Sequence, residues 1–196
     1  MLFLHLRMKK YLAVYCGSSK GSNPIYTQQA KVLGQIMVNH GYHLVYGAGN
    51  VGLMGVIADE IMRLGGEVVG VIPQHLVDRE VAHTGLTELI VTDTMHERKA
   101  IMAERSQGFI AMPGGIGTLE EIIEVMTWTQ LGLHQKPIAF YDVEGFYSKL
   151  FSFFEHMMEE KFLKPQPIEQ LICESDPSLL MKSIEAHSTT YTPKWL

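Results

Sequence analysis

The chain has 196 residues, of which 46% are hydrophobic, and its 16 Lys and Arg against 21 Asp and Glu give a net charge of −5. This length supports one domain with a substantial core, and this composition excludes a disordered chain. An acidic chain without a Lys- or Arg-rich block is a poor match for nucleic acid or an anionic membrane surface. We therefore expect neither as a partner.

The cysteines and the N-terminus bear on the cellular compartment. Two cysteines without a CxxC motif cannot form a disulfide framework. The first ten residues place apolar side chains before charged ones, which is the reverse of a secretory signal. No apolar run reaches the roughly 18 residues that a membrane span requires. We expect a cytoplasmic protein.

Short apolar segments alternate along the chain with segments of helical period. The predicted strands are residues 12–16, 43–46, 67–72, 89–92, 109–112, 137–141 and 170–173. The predicted helices are residues 24–39, 52–64, 95–106, 118–131, 145–159 and 177–186. Most of these strands are apolar on both faces, which is typical of a parallel sheet covered by helices on both sides. The alternation predicts a doubly wound α/β sheet of about seven strands in a single domain.

Three turns that contain glycine follow predicted strands, at the edge of a parallel sheet where ligands bind. They cover residues 16–21, 46–55 and 112–121. The second turn has the spacing GxGxxG, but it follows the second strand instead of the first. Glu67 stands at the start of the next strand, whereas an acid that binds a ribose stands at the far end. We therefore do not expect a dinucleotide cofactor.

The third turn, with the sequence PGGIGTLEE, allows two interpretations. Thr118 and Glu121 have the spacing of a capping box, which would give them a structural role at a helix start. That role leaves three glycines at the end of a strand unexplained: Gly114, Gly115 and Gly117. Their backbone N–H groups, with that of Thr118, could instead hold a phosphate while the Glu121 carboxylate faces the ligand.

Two further groups of charged residues also allow two interpretations. Arg98 and Lys99 lie near the start of the third predicted helix and point in different directions. They either form a solvated surface or provide a cation for a substrate phosphate or base. Glu80 lies in an irregular segment, residues 74–85, where it either contacts a ligand or is solvated. The nine histidines do not converge with Cys or carboxylate residues at metal-binding spacing, so we expect no metal site.

The segment of residues 145–158 is rich in large apolar side chains. These side chains either pack against the sheet or form part of a subunit interface. The remainder of the chain has no repeat or linker that would divide it. We predict an N-terminal extension of residues 1–9, one domain of residues 10–186 and a C-terminal tail of residues 187–196.

Four motifs together identify a resemblance to a known family. They are CGSS at residues 16–19, YGAGNVGLMG at 46–55, MHERK at 95–99 and PGGIGTLEE at 113–121. The chain resembles the Lonely Guy (LOG) family of phosphoribohydrolases from about residue 10 to residue 162. The resemblance implies a Rossmann-like fold, a homodimer and no cofactor. It also implies hydrolysis of the N-glycosidic bond of adenosine or cytokinin-riboside 5′-monophosphates, which releases the base and ribose 5-phosphate.

The resemblance also implies which residues form the site. The catalytic pair of the family corresponds to Arg98 and Glu121. Its ligand contacts correspond to Ser18, Glu80, Lys99, Gly114, Gly115, Gly117, Thr118 and Thr127. Ala48 stands where the family often has glycine, and it could alter the geometry of the second turn. A noncatalytic nucleotide-binding or cofactor-carrier protein of related fold is the alternative function, which the presence of both catalytic residues disfavours.

Overall fold

The structure is a computed structural model that describes residues 9–77 and 82–188. The strands are β1 (Lys10–Tyr15), β2 (Tyr42–Tyr46), β3 (Val68–Pro73), β4 (Glu88–Thr92), β5 (Phe109–Ala111), β6 (Ile138–Tyr141) and β7 (Ile172–Glu174). The helices are α1 (Ile25–Asn39), α2 (Gly52–Arg63), α3 (Gln74–Val77), α4 (Met95–Arg105), α5 (Ile116–Gln130), α6 (Ser148–Glu159), α7 (Gln166–Glu169) and α8 (Pro177–Ala186). Most of the predicted extension and tail lies outside the described residues.

The strands form one parallel sheet in the order β4-β3-β2-β1-β5-β6-β7. The chain begins in the middle of the sheet, builds outward to β4 and then returns to place β5 on the free side of β1. The predicted doubly wound α/β fold is therefore confirmed. The reversal creates a switch point between β1 and β5, where the connections leave in opposite directions and open a crevice for ligands.

The two faces of the sheet bury separate apolar cores. Leu12 and Val14 of β1 point into one core, which α1, α2 and α8 cover. Ala13 and Tyr15 point into the other core, which α4, α5 and α6 cover. Because successive side chains of a strand point to opposite faces, a strand covered on both sides is apolar at every position. This explains the continuous apolar segments of the sequence.

The helix boundaries differ from the sequence prediction at functionally relevant places. Helix α6 begins at Ser148 and not at Gly145, because Glu144 and Gly145 have φ values of 54° and 69°, which no helix accommodates. The Asp142 side chain accepts a hydrogen bond from the backbone N–H of Tyr147 and holds this turn in place. The short helices α3 and α7 were not predicted, since four residues are too few to show a helical period.

Tyr147 ties the start of α6 to the end of β5, directly before the third glycine-containing turn. Its buried hydroxyl donates a hydrogen bond of 2.6 Å to the backbone oxygen of Met112. We expect Tyr147→Phe to lower the free energy of unfolding by about 1 to 2 kcal/mol, because the carbonyl loses its partner away from water. Urea unfolding measures this difference. The control is Tyr11→Phe, whose part-buried hydroxyl bonds Glu67 and can be replaced by water; equal losses in both variants would contradict the prediction.

Candidate active site at the switch point

The three glycine-containing turns contact one another at the carboxyl ends of β1, β2 and β5. The N–H of Leu53 donates to the Gly17 oxygen at 2.9 Å, and the N–H of Gly17 donates to the Pro113 oxygen at 3.1 Å. A Cβ atom on Gly52 would lie 2.2 Å from backbone of the first turn, and one on Gly114 would lie 2.9 Å from the Gly17 nitrogen. Any side chain at these two positions would push the turns apart.

A cavity of about 270 Å³ opens beside this contact. Its lining contains six of the residues that the sequence predicted for the site: Ser18, Arg98, Gly115, Gly117, Thr118 and Glu121. Met54 and Met95 also line it. Sequence reasoning gave these two methionines no role, although both lie inside the quoted motifs. A thioether offers an apolar, polarisable surface to a flat ring. The presence of methionine inside motifs that bind a ligand would therefore have indicated a contact with such a ring.

The first turn of α5 forms one wall of the cavity. The helix begins at Ile116 with Gly115 as its N-cap, and no side chain caps it. The capping-box interpretation of Thr118 and Glu121 is therefore wrong, because the helix starts two residues before Thr118. The N–H groups of this first turn have no partner within the helix, and they carry the positive end of its dipole. An uncapped helix start of this kind binds anions such as phosphate.

The three glycines of this turn serve different purposes. A Cβ atom on Gly114 would lie 2.2 Å from Oγ1 of Thr118, so Gly114 allows close packing within the protein. A Cβ atom on Gly115 or Gly117 would meet nothing within 4 Å. Glycine at these two positions is not required by packing, and it leaves the space next to the helix start open for a ligand.

Arg98 reaches the cavity from α4 and is 8% exposed, while Lys99 is 7% exposed. The interpretation of these residues as a solvated surface is therefore wrong. The Nη2 atom of Arg98 lies 3.6 Å from Oε1 of Glu121, and its Nη1 atom lies 3.7 Å from the sulfur of Met95. Its Nε atom is buried without a hydrogen-bond partner. The guanidinium thus keeps donors available for a ligand.

Glu121 lies one turn inside α5 and faces Arg98. Burial raises the pKa of its carboxyl group to about 7, although the positive charge of Arg98 acts in the opposite direction. A carboxyl group with this pKa exchanges a proton near neutral pH, as a general acid or base requires. The pair therefore combines a fixed cation with a proton acceptor at the edge of one cavity.

Two other predicted site residues, Lys99 and Thr127, do not line this cavity, and Gly114 lines only the second cavity described below. The ammonium of Lys99 donates to Glu120 at 2.6 Å and to Glu124 at 3.0 Å, so it ties α4 to α5. Thr127 is exposed, and its hydroxyl bonds a carbonyl one turn earlier in α5. Glu80 lies outside the described residues. Lys99 points away from the cavity that Arg98 lines, because consecutive helix residues point about 100° apart.

A second cavity of about 220 Å³ adjoins the first across Ser18 and Gly115. Its walls include the aromatic rings of Tyr26 and Phe146, which are 5.9 Å apart in an edge-to-face arrangement, and the amine-bearing side chain of Lys20. No motif of the sequence predicted it, because its walls come from segments that follow four different strands, β1, β2, β5 and β6. The first cavity alone contains the charged pair.

Comparison with known proteins gives the family. Residues 54–184 match the family described as "Possible lysine decarboxylase". The chain is 43% identical over 176 residues to cytokinin riboside 5′-monophosphate phosphoribohydrolase LOG1 of Arabidopsis thaliana, covering 90% of this chain and 83% of that protein. It is 40% identical over 178 residues to LOG5 of the same plant, which carries the same enzyme name, covering 91% and 78%. The chain belongs to the LOG family.

Solved structures extend the comparison to the fold of this LOG protein. The molybdenum cofactor binding protein from Rippkaea orientalis superposes with a TM-score of 0.69 at 22% identity, covering 92% of this chain and 98% of that chain. The Moco carrier protein from Chlamydomonas reinhardtii gives 0.68 at 18% identity, covering 90% and 96%. At these identities the likeness shows the fold alone. The expected Rossmann-like architecture is confirmed.

Residues 9–77 and 82–188 contain neither a membrane-spanning helix nor a metal-binding cluster. No helix there combines the length and the apolar character needed to cross a membrane. No three His, Cys, Asp or Glu side chains in this part of the chain converge as ligands for a metal ion.

The buried carboxyl group of Glu121 gives the LOG protein a pH-dependent stability. The pKa of about 7 in the folded state lies above the ordinary value of 4.5 for a glutamate carboxyl group, so the folded state retains this proton to higher pH. Stability from the protonated form is lost as pH rises from about 4.5 through about 7. Because glutamine cannot ionise, we expect the stability of Glu121→Gln relative to the wild type to increase by about 2 to 3 kcal/mol between pH 5 and pH 8.

Urea unfolding at several pH values measures this difference. The control is Glu104→Gln, which makes the same change at an exposed position of α4, and its difference from wild type should stay constant. A constant difference for Glu121→Gln as well would show that the carboxyl group titrates normally.

Proposed function

We propose that the protein hydrolyses the N-glycosidic bond of a purine nucleoside 5′-monophosphate to give the free base and ribose 5-phosphate. The observation that carries the proposal is the presence, in one cavity, of an uncapped helix start and a buried pair of opposite charges. A phosphate at the helix start and a ribose at the charged pair fit a nucleotide monophosphate. The LOG relatives, which are named as phosphoribohydrolases of cytokinin riboside 5′-monophosphate, support the same reaction class.

The phosphate contacts follow from the first turn of α5. The backbone N–H groups of residues 115–118 donate hydrogen bonds to the phosphate, and the open space at Gly115 and Gly117 leaves room for its oxygen atoms. Ser18, which also lines the cavity, provides a hydroxyl donor. Glu121 lies one turn further along the same helix, so the anchored phosphate holds the ribose within reach of its carboxylate. Positioning of this kind lowers a barrier by several kcal/mol.

The chemical step uses the charged pair. The C1′–N9 bond breaks with its electron pair leaving on the purine, and the ribose develops oxocarbenium character. The carboxylate of Glu121 stabilises that positive charge and accepts a proton from the water that adds to C1′. The departing base gains one proton, so the overall reaction consumes one water molecule. Arg98 donates hydrogen bonds to the nucleotide, and its fixed charge orients the nucleotide against Glu121.

The other functions connected with these relatives fit the site less well. A pyridoxal-phosphate decarboxylase requires a lysine amine that forms a Schiff base. Among the described residues that line the first cavity, the cation is Arg98 and not a lysine. The neighbouring Lys99 is held by two carboxylates. A cofactor carrier of the same fold does not need a carboxyl group whose pKa lies near 7. The second cavity, with its aromatic rings, is the feature that favours a carrier.

Activity assays test the catalytic assignment. We expect Glu121→Gln to lower kcat for base release from AMP by at least about a hundredfold, because the cation loses its stabilising charge and the water loses its base. Chromatography of the released base measures the rate. Glu104→Gln is the matched control and should retain wild-type activity. Undiminished turnover by a folded Glu121→Gln variant would overturn the assignment.

The same assay addresses the base. We propose that the site accepts both AMP and the N6-modified nucleotides of the cytokinin type. Isopentenyladenosine monophosphate compared with AMP gives the preference as a ratio of kcat/KM. Release of neither base by the wild-type protein would overturn the proposed function itself.

We further propose that the protein forms a homodimer. Most of the apolar side chains of residues 145–158 pack into the core on one face of the sheet, including Phe151 and Phe154, while Phe153 is 56% exposed. A better surface lies just beyond α5, where Leu131 and Leu133 are 50% and 68% exposed. Exposed apolar side chains that lie together at a surface mark interaction sites.

Sedimentation tests the dimer. We expect twice the 22.1 kDa chain mass at micromolar concentration, and dissociation when Leu131 and Leu133 are both changed to Asp, because buried charges disrupt an apolar contact. Phe162→Asp is the control at another exposed apolar position. A wild-type monomer at this concentration would contradict the proposal.

A further inference from the structure

Gly47, the first residue after β2, is buried and lies directly against the guanidinium of Arg98. A Cβ atom on Gly47 would lie 2.0 Å from Nη2 of Arg98 and 3.3 Å from its Cζ atom. The next atom near this Cβ position is the sulfur of Met54 at 3.5 Å, which is an ordinary van der Waals contact. The space that a side chain at position 47 would fill is therefore occupied by the head group of Arg98.

The backbone does not explain this glycine. The residues with positive φ include Gly52 in the same turn but not Gly47, so alanine could adopt the conformation at position 47. Nor does Gly47 permit a contact between two turns, as Gly52 does with Ser18. Its absent side chain affects the position of a charged group and not the path of the chain.

The other contacts of the Arg98 head group are too weak to fix its position. The ion pair with Glu121 spans 3.6 Å, the contact with Met95 spans 3.7 Å, and the Nε atom has no partner. A close hydrogen-bonded ion pair would have an N–O distance of about 2.8 Å. The guanidinium is held mainly by the surfaces against which it packs, and Gly47 lies against its Nη2 end.

We propose that Gly47 is a positioning residue for Arg98: by lacking a side chain, it sets the distance and angle between the guanidinium and Glu121. The inference rests on the proposed function for its kinetic consequence. A methyl group at position 47 moves the guanidinium away from the end of β2. Displacement of a catalytic group by about 1 Å can cost a hundredfold in rate. The phosphate contacts at α5 remain, since Gly47 does not touch them.

Gly49, two residues further along the same turn, provides a matched control. A Cβ atom there would lie 2.7 Å from the Cε atom of Met54. This methyl is the end of a flexible side chain and can move. Gly49→Ala therefore adds the same methyl group to the same turn without displacing the cation.

The experiment is a double-mutant cycle with Gly47→Ala, Arg98→Ala and the double variant, together with Gly49→Ala. We expect Gly47→Ala to lower kcat by about tenfold to a hundredfold. Its KM for AMP and its Kd for ribose 5-phosphate, measured by calorimetry, should change less than about twofold, because phosphate binding is intact. Gly49→Ala, which moves the Met54 side chain and not Arg98, should lower kcat by less than Gly47→Ala does. In the Arg98→Ala background, Gly47→Ala should cause no further loss.

A second readout of the same cycle does not depend on catalysis. Gly47→Ala should lower the urea midpoint when Arg98 is present, and this loss should vanish in the double variant, where the methyl group has room. An equal loss of midpoint in both backgrounds would overturn the inference. If the loss of midpoint depends on Arg98 but the wild type releases no base from AMP, the contact between Gly47 and Arg98 is supported and only the proposed function is overturned. An unchanged kcat in an active Gly47→Ala variant would overturn the positioning role.

Discussion

The site depends on a backbone-to-backbone contact among three turns at the switch point of the sheet. The first turn accepts a hydrogen bond from Leu53 at the start of α2 and donates one to Pro113 before α5. At Gly52 and Gly114 the neighbouring backbone lies so close that no side chain fits. This contact fixes the start of α5 relative to β1. The uncapped helix start, Ser18 and the charged pair all lie next to this contact between the turns. The contact therefore determines their relative positions.

A second constraint is the burial of opposite charges between α4 and α5. Arg98 and Glu121 face each other at the cavity, while Lys99 bonds Glu120 and Glu124 further along the same two helices. The Lys99 contacts are short and join the helices. The Arg98 contact is long and leaves donors free. Of these two adjacent cations, Lys99 thus has a structural role and Arg98 is available to a ligand. Burial between the same helices raises the pKa of the Glu121 carboxyl group to about 7.

The departure from the LOG pattern at Ala48 leaves the second turn intact. Ala48 has a φ of 63°, a left-handed conformation that glycine adopts more easily. Its methyl group fits because the neighbouring position on β3 is Gly70, where a Cβ atom would lie 2.8 Å from that of Ala48. The Ala48 oxygen accepts a hydrogen bond from the N–H of His83 at 2.9 Å. The turn therefore keeps a glycine-like path with an alanine in it.

The sequence by itself determined the order of strands and helices, because a sheet covered on both faces requires apolar residues at every position of its strands. Its motifs also determined the LOG family membership. Only the tertiary structure decided which members of these motifs meet. The burial of Arg98 and Lys99 depends on atoms that are distant in the chain, and so do the contacts of Gly47 with Arg98 and of Gly114 with Gly17. Local periodicity reports which side of an element is covered, but it does not report what covers it.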